Sequence, residues 1–306
     1  MQTLGEPGPR IRCVRVGARR TCAPPDHPLE CRGAGEGPRE VHVAEVDELR
    51  AACAEAARLG GAVLREKWGQ TRTIELKGGI DLVTDADRAS EAAVLGFLSR
   101  RFPGAAILAE ETGASGAGAG GLRFFVDPLD GTTNYAHGVP HFAVNVAVSD
   151  GLGLAAGVTL DPLRGELYEA ARGRGATLDG APLRHSGRSE LMGSLLVTGF
   201  PYDVHHRYDE PLRLFGAFIR RARAVRRFGS AALDLAYVAA GRFDGFWELR
   251  LKPWDVAAGI LIAREAGALV TDIDGGERML ESGDIVAAAP ALHAPMLAVI
   301  AEARGP

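Results

Sequence analysis

Asp127-Pro128-Leu129-Asp130-Gly131-Thr132-Thr133-Asn134 is the segment of this chain whose residue types and spacing carry the most chemistry. It follows an apolar run over 122–126, so Asp127 is expected where a buried strand emerges. Pro128 cannot extend a strand ladder, which predicts a turn at that point. Two carboxylates flanking one tight loop repel unless protonated or neutralised, and hard divalent cations with oxygen ligands neutralise them. Gly131 permits close backbone approach to a ligand. A helix starting at Thr132 would aim free N–H groups at an anion such as phosphate, and the Thr132 hydroxyl would orient a water. Asp-Pro and Asp-Gly also cap ordinary turns, and the octapeptide alone leaves that reading open.

Three further acidic positions stand at predicted element ends. Glu110-Glu111 closes the apolar run 105–109; Asp255 in Pro253-Trp254-Asp255 opens a helical pattern over 256–267; Asp87 follows Val83-Thr84-Asp85-Ala86. Each has a bland explanation, as a strand reaching solvent, an N-cap or helix-initiating polarity. Together they put carboxylates at several strand ends and helix starts beside one phosphate-ready loop, which suits a multi-metal phosphoryl-transfer site. No histidine-rich constellation accompanies them, which favours magnesium over zinc.

The elements that must position these groups are legible from periodicity. Val43, Val46, Leu49, Ala52, Ala56, Leu59 and Val63 form one helical stripe running to about Trp68. A second helix follows Asp87 and closes near Phe102-Pro103-Gly104. Runs 105–109 and 122–126 are expected to pair as a hairpin across the glycine-rich loop 113–121, bringing Glu110 near Asp127. That loop opens a strand rather than a helix, so it lacks the context of a nucleotide-binding loop. Phe142, Val144, Val146 and Val148 alternate as in a half-buried strand, and 152–160 and 166–171 continue the pattern. From about 186 the texture becomes alternating helix and strand. The expected organisation is therefore an extension over 1–40, an α+β lobe over 41–185 with most of the acids, and an α/β lobe over 186–306 carrying Asp255.

Of the 306 residues, 46% are hydrophobic and 24% charged, with net charge −4, which does not suit a nucleic-acid or membrane-surface protein. Residues 1–40 are a different material: Cys13, Cys22 and Cys31 lie there without zinc-knuckle spacing, among prolines and seven arginines. A disordered extension is expected. Beyond it only Cys53 remains, which fits a reducing, cytoplasmic compartment.

Glu110-Glu111, the Asp127 octapeptide, Gly229-Ser230-Ala231-Ala232 and Trp254-Asp255 occur in the order and rough spacing of the inositol monophosphatase family, which the chain resembles from about 43 to 304. The resemblance implies a layered αβαβα sandwich of the inositol monophosphatase and fructose-1,6-bisphosphatase type, and a homodimer. It implies two or three Mg2+ ions held by Glu110, Asp127, Asp130, Asp255 and the Leu129 carbonyl. Glu110 and Thr132 would activate water, with Asp87 supporting Thr132; Gly131 and Thr132 would bind phosphate through N–H groups. Gly229, Ala231 and Glu248 would face the substrate, and Lys77 and Glu111 would lie near the site.

A small phosphorylated metabolite, most directly inositol-1-phosphate, is the implied substrate. Glu248 lies at the position of the family's polyol ligand, and a carboxylate accepts hydrogen bonds from vicinal hydroxyls while repelling a second phosphate. Arg250 and Lys252 offset that repulsion, which keeps fructose-1,6-bisphosphate and histidinol phosphate open. Some bacterial relatives are accessory factors of the transcription machinery, which supplies a non-enzymatic alternative. The complete acidic set separates the two, because a scaffold has no chemical reason to retain it. The basic run from Arg220 to Arg227 reads as a solvated helix end or as an anion-binding patch.

Overall fold

The computed structural model describes residues 43–70, 74–76, 82–118 and 121–305. The expectations for the extension, for Lys77 and for positions 119 and 120 of the glycine-rich loop lie outside the described residues. Eight helices occur among them: α1 (Val43–Lys67), α2 (Asp85–Arg101), α3 (Thr132–Ala136), α4 (Asp209–Ile219), α5 (Ala231–Ala239), α6 (Pro253–Glu265), α7 (Met279–Ser282) and α8 (Pro290–Arg304).

A short antiparallel pair, β1 (Ile74–Leu76) and β2 (Leu82–Thr84), precedes α2. Strands β3 (Ala106–Ala109), β4 (Gly113–Ser115), β5 (Arg123–Asp130), β6 (Ala143–Asp150), β7 (Gly153–Asp161), β8 (Glu166–Ala171), β9 (Ala176–Leu178) and β10 (Ala181–Pro182) form one sheet in the order β10-β9-β8-β7-β6-β5-β3-β4. Strands β11 (Leu195–Thr198), β12 (Ala224–Arg226), β13 (Gly245–Glu248), β14 (Leu269–Thr271) and β15 (Ile285–Ala288) form a second, in the order β12-β11-β13-β15-β14.

Three apolar cores separate five layers. Helices α1 and α2 cover one face of the large sheet through Leu49, Cys53, Leu64, Val94 and Leu98, packed on Phe124, Val126 and Val146. The opposite face meets α5 and α6, which also pack on the inner face of the small sheet through Leu235, Val256, Phe246 and Ile285. Helices α4 and α8 close the far side, where Phe218 stacks on Trp247 at 4.0 Å among Leu214, Leu292 and Met296. Each such fully buried Leu, Phe or Met contributes about 1.5–3 kcal/mol of transfer free energy. The result is the expected αβαβα sandwich.

Four local expectations change. The α1 stripe turns away from Leu59, which is 40% exposed, and continues through Gly60 and Leu64. Strand β6 is buried on both faces over Ala143–Val148 because helices cover both sides of its sheet, so its alternation marks two cores rather than core and solvent. Part of the basic run becomes the edge strand β12 instead of a helix end. Runs 105–109 and 122–126 do not form a hairpin: β3 and β5 pair parallel, with Ala109 opposite Val126, and β4 supplies the antiparallel neighbour of β3. This last correction matters most, because parallel pairing brings the C-terminal ends of both strands to the same sheet edge.

Candidate active site

Pro128 does not end its strand. Strand β5 runs through the octapeptide to Asp130, with an irregularity in its pairing to β6 between Asp127 and Asp130. That bulge accommodates the prolyl residue and re-aims the side chains on either side. The Asp127 carboxylate accepts the Leu129 N–H at 3.0 Å, and Ser90 on α2 donates to the Pro128 carbonyl oxygen at 2.9 Å. Gly131 then takes φ +95°, a left-handed conformation that starts α3; a Cβ there would lie 3.1 Å from the His141 carbonyl oxygen. Helix α3 begins at Thr132, which meets the condition for its N–H groups to face an anion.

Thr132 is 6% exposed, and its hydroxyl donates to Asp87 Oδ1 at 2.9 Å, with the Leu129 carbonyl oxygen 3.0 Å away. Asp87 is fully buried because it closes a capping box: its other oxygen accepts the Thr84 N–H at 2.8 Å and the Thr84 hydroxyl. Burial pushes the Asp87 carboxyl up to about 6, against the lowering effect of the bonds from Thr84 and Thr132.

Glu110 follows β3 directly, its N–H bonded to the Val126 carbonyl oxygen of β5 at 3.1 Å, so it stands one step from Asp127 at the shared sheet edge. Glu91, buried on α2, accepts the N–H groups of Glu111 and Thr112 at 2.9 and 3.0 Å and holds that turn in place. Asp255 arrives from the second sheet's connections, at the third position of α6 behind Pro253, its carboxylate accepting the Lys252 N–H at 2.7 Å. Asn145 of β6 donates to the carbonyl oxygens of Trp254 and Asp255 at 2.6 and 3.1 Å, while its own oxygen accepts the Thr159 hydroxyl at 2.7 Å. The large sheet thereby fixes the start of α6. Neither Glu91 nor Asn145 was singled out in the sequence; a buried acid mid-helix and an asparagine inside an apolar strand were the only signals available.

Asp130 faces the start of α5, where its Oδ2 accepts the Ser230 hydroxyl at 2.6 Å and the Ala232 N–H at 2.7 Å. Asn134 joins the same two segments by donating to the carbonyl oxygens of His141 and Phe228, both at 2.8 Å. Gly229 and Ala231 thus stand beside the octapeptide. A cleft of about 280 Å³ opens there, lined among others by Asp130, Thr132, Ala231, Glu248 and Asp255. Glu248 ends β13 and is 6% exposed; burial pushes its carboxyl up to about 8, opposed by the charge of Arg227.

The electrostatics are those of a buried anionic centre, its acids raised by burial and by one another against the charges of Arg227 and Lys252. Burial holds Asp127 well above the usual carboxylate range, reinforced by the charges of Glu110, Asp130 and Asp255. Asp255 is raised by burial and then by Asp130 and Glu248, and burial raises Asp130 to about 6 despite its bonds to the start of α5. Tyr202 is 54% exposed as a residue, yet desolvation of its phenol, and then the charges of Glu110, Asp255, Asp130 and Asp127, hold that group far above its usual value. Among the described residues no group of three His, Cys, Asp or Glu side chains is already closed to metal-ligand geometry. The donor set nonetheless fits hard divalent cations, which take carboxylate and carbonyl oxygens and relieve this mutual repulsion. Asp127, Asp130, Asp255, Glu110 and the Leu129 carbonyl are the groups that could hold them.

A five-layer αβαβα sandwich carries these acids where its large sheet meets two helix starts. The model of the inositol monophosphatase family matches residues 45–304. Nus factor SuhB of Pseudomonas aeruginosa is 46% identical over 239 residues, covering 76% of this chain and 88% of that protein. Nus factor SuhB of Escherichia coli K12 is 42% identical over 245 residues, covering 79% and 92%. Among solved structures, the inositol monophosphatase from Anabaena superposes with TM-score 0.76 at 40% identity, covering 83% of this chain and 96% of that one. The extragenic suppressor protein SuhB from Bartonella henselae gives 0.78 at 39% identity, with 82% and 97% covered. The chain belongs to the inositol monophosphatase family.

Proposed function

We propose that this chain catalyses magnesium-dependent hydrolysis of a small phosphomonoester, with inositol-1-phosphate the substrate its cleft suits best. The convergence of Glu110, Asp130 and Asp255 on buried Asp127, whose carboxyl burial and their charges raise together, is the observation that carries the reading. Those four acids and the Leu129 carbonyl would hold the ions. Magnesium, when bound, supplies positive charge to the phosphate oxygens and to the leaving group.

The chain's own residues do the rest. Asp87 holds the Thr132 hydroxyl by its proton, which leaves the Thr132 lone pairs to accept from and orient an attacking water. Glu110 takes the proton that water gives up as it attacks phosphorus in line, without a phosphoenzyme. The Gly131 and Thr132 N–H groups donate to the phosphate. Glu248, which lines the cleft, accepts hydrogen bonds from the hydroxyls of the alcohol part. Family resemblance adds a homodimer; no helix among the described residues is long and apolar enough to cross a membrane.

Phosphate release from inositol-1-phosphate, fructose-1,6-bisphosphate, histidinol phosphate and adenosine 3′,5′-bisphosphate, each with magnesium and with chelator, tests the reading. Magnesium-dependent preference for the inositol ester is the expected result; preference for another ester moves the substrate and keeps the site. Replacement Glu248→Gln is expected to lower kcat/KM for inositol-1-phosphate about ten-fold, the scale of one hydrogen bond to a charged group, with a smaller loss on an aryl phosphate. Equal losses on both would show that Glu248 does not read the polyol.

The name Nus factor SuhB on relatives above 40% identity favours a second reading, a transcription-machinery-associated binding protein. Silence on every ester, together with co-purification with RNA polymerase, would make it the primary one.

A further inference from the structure

Strands β11 and β13 run parallel, with Thr198 in register with Trp247. The Thr198 hydroxyl donates to the Trp247 carbonyl oxygen at 2.6 Å and locks the two strand ends together. Each strand continues by one residue toward the cleft, and there Gly199 meets Glu248. Gly199 is not among the residues with positive φ, so its backbone conformation is open to any amino acid. Space is what excludes the others: a Cβ at 199 would lie closer than 3.0 Å, a distance real Cβ atoms essentially never show, to Oε1, Oε2 and Cδ of Glu248. No hydrogen bond among the described residues holds the Glu248 carboxylate; the hollow over Gly199 gives it room, and the charge of Arg227 favours it there.

We propose that Gly199 is a specificity-determining residue: its missing side chain is the seat of the Glu248 carboxylate, and preference for hydroxyl-bearing phosphate esters depends on that vacancy. The inference rests on the reading above that Glu248 meets the alcohol part of the substrate. A methyl group at 199 displaces only the far end of a flexible side chain beside an open cleft, which the fold absorbs by a change of rotamer. The same displacement moves the carboxylate that β13 presents to the cleft, and the loop after Gly199 supplies no replacement, because its one acid, Asp203, is held by Arg250 and Arg207.

The test compares wild type, Gly199→Ala, Glu248→Ala and the double variant. It reads the ratio of kcat/KM for inositol-1-phosphate to that for p-nitrophenyl phosphate, with magnesium, beside thermal melts. In Gly199→Ala the ratio is expected to fall about ten- to hundred-fold, chiefly through KM for the inositol ester. The double variant should show no further fall than Glu248→Ala alone, since the clashing atoms are gone. An unchanged ratio in Gly199→Ala with a lowered ratio in Glu248→Ala overturns the role of Gly199 and leaves the proposed function standing. Unchanged ratios in both overturn both readings. A fall in Gly199→Ala alone, or additive falls in the double variant, would show that position 199 acts by another route and overturns the seating. Should Gly199→Ala fail to fold, folding of the double variant would support the clash, and failure of both would make the glycine a requirement of the fold instead.

Discussion

Asp127→Asn is expected to lower magnesium-dependent phosphate release about a thousand-fold while making the metal-free protein more stable near neutral pH. Asparagine keeps the shape and the oxygen that accepts the Leu129 N–H, so the bulge between Asp127 and Asp130 survives. What it removes is a buried charge that Glu110, Asp130 and Asp255 all disfavour. A residue serving only to cap the turn would behave oppositely, with activity near wild type and stability unchanged or reduced. Steady-state kinetics and thermal melts of the chelated protein on the same preparation decide between them. Undiminished turnover would remove Asp127 from the metal site, and a large fall in melting temperature would make its role structural.

Magnesium is expected to stabilise the protein strongly at pH 7.5 and hardly at all at pH 4.5. Asp87 and Asp130, ordinarily near 3.8, are each held at about 6 in the folded chain, chiefly by burial. An acid whose folded pKa lies above its unfolded one leaves the folded state with more bound protons between the two values, so stability falls as pH rises through that window. A shift of about two units is worth roughly 3 kcal/mol per group, and Asp127 and Asp255 are shifted in the same direction. Cations bind deprotonated Asp127, Asp130 and Asp255 and offset their penalties, that of Asp130 being complete only above about pH 6. Asp87, which holds Thr132, keeps its own penalty with or without the ion. At a hundred times the dissociation constant the gain is about 2.7 kcal/mol, or roughly 5–10 °C in Tm for a chain of this size. His141, whose pKa burial lowers to about 4, contributes the opposite slope, stability being lost as pH falls below the ordinary histidine value. It contributes equally with and without magnesium and drops out of the difference. Melts across pH 4.5–8 with magnesium or chelator measure this, and an equal shift at both ends of the range would contradict the acidic site.

The local half of the site was legible before any fold was known. The octapeptide marks a break in the ladder at Pro128, a close-approach glycine at Gly131 and a helix start at Thr132, because backbone restrictions of single residues act within a few positions. Asp255 behind Pro253 announces a helix start for the same reason. That β5 bulges and runs on to Asp130 instead of turning was not legible. Less was legible where contact depends on partners distant in sequence. Glu110 and Asp127 were expected to meet across a hairpin, yet a hairpin would send their strand ends to opposite edges; the parallel pairing of β3 and β5 brings them together.

Residue chemistry by itself determined an acid-rich, phosphate-ready loop and most of the helices and strands around it, since periodicity and turn chemistry are written locally. The family and its five-layer architecture came from the resemblance of the motifs. Tertiary structure alone decided other meetings: Asp130 against the start of α5, Asn145 holding the approach to Asp255, and Glu248 over Gly199. Those meetings depend on strand order, register and the packing of α5 and α6 between two sheets. They bring together residues up to about a hundred positions apart, whose proximity no local pattern encodes.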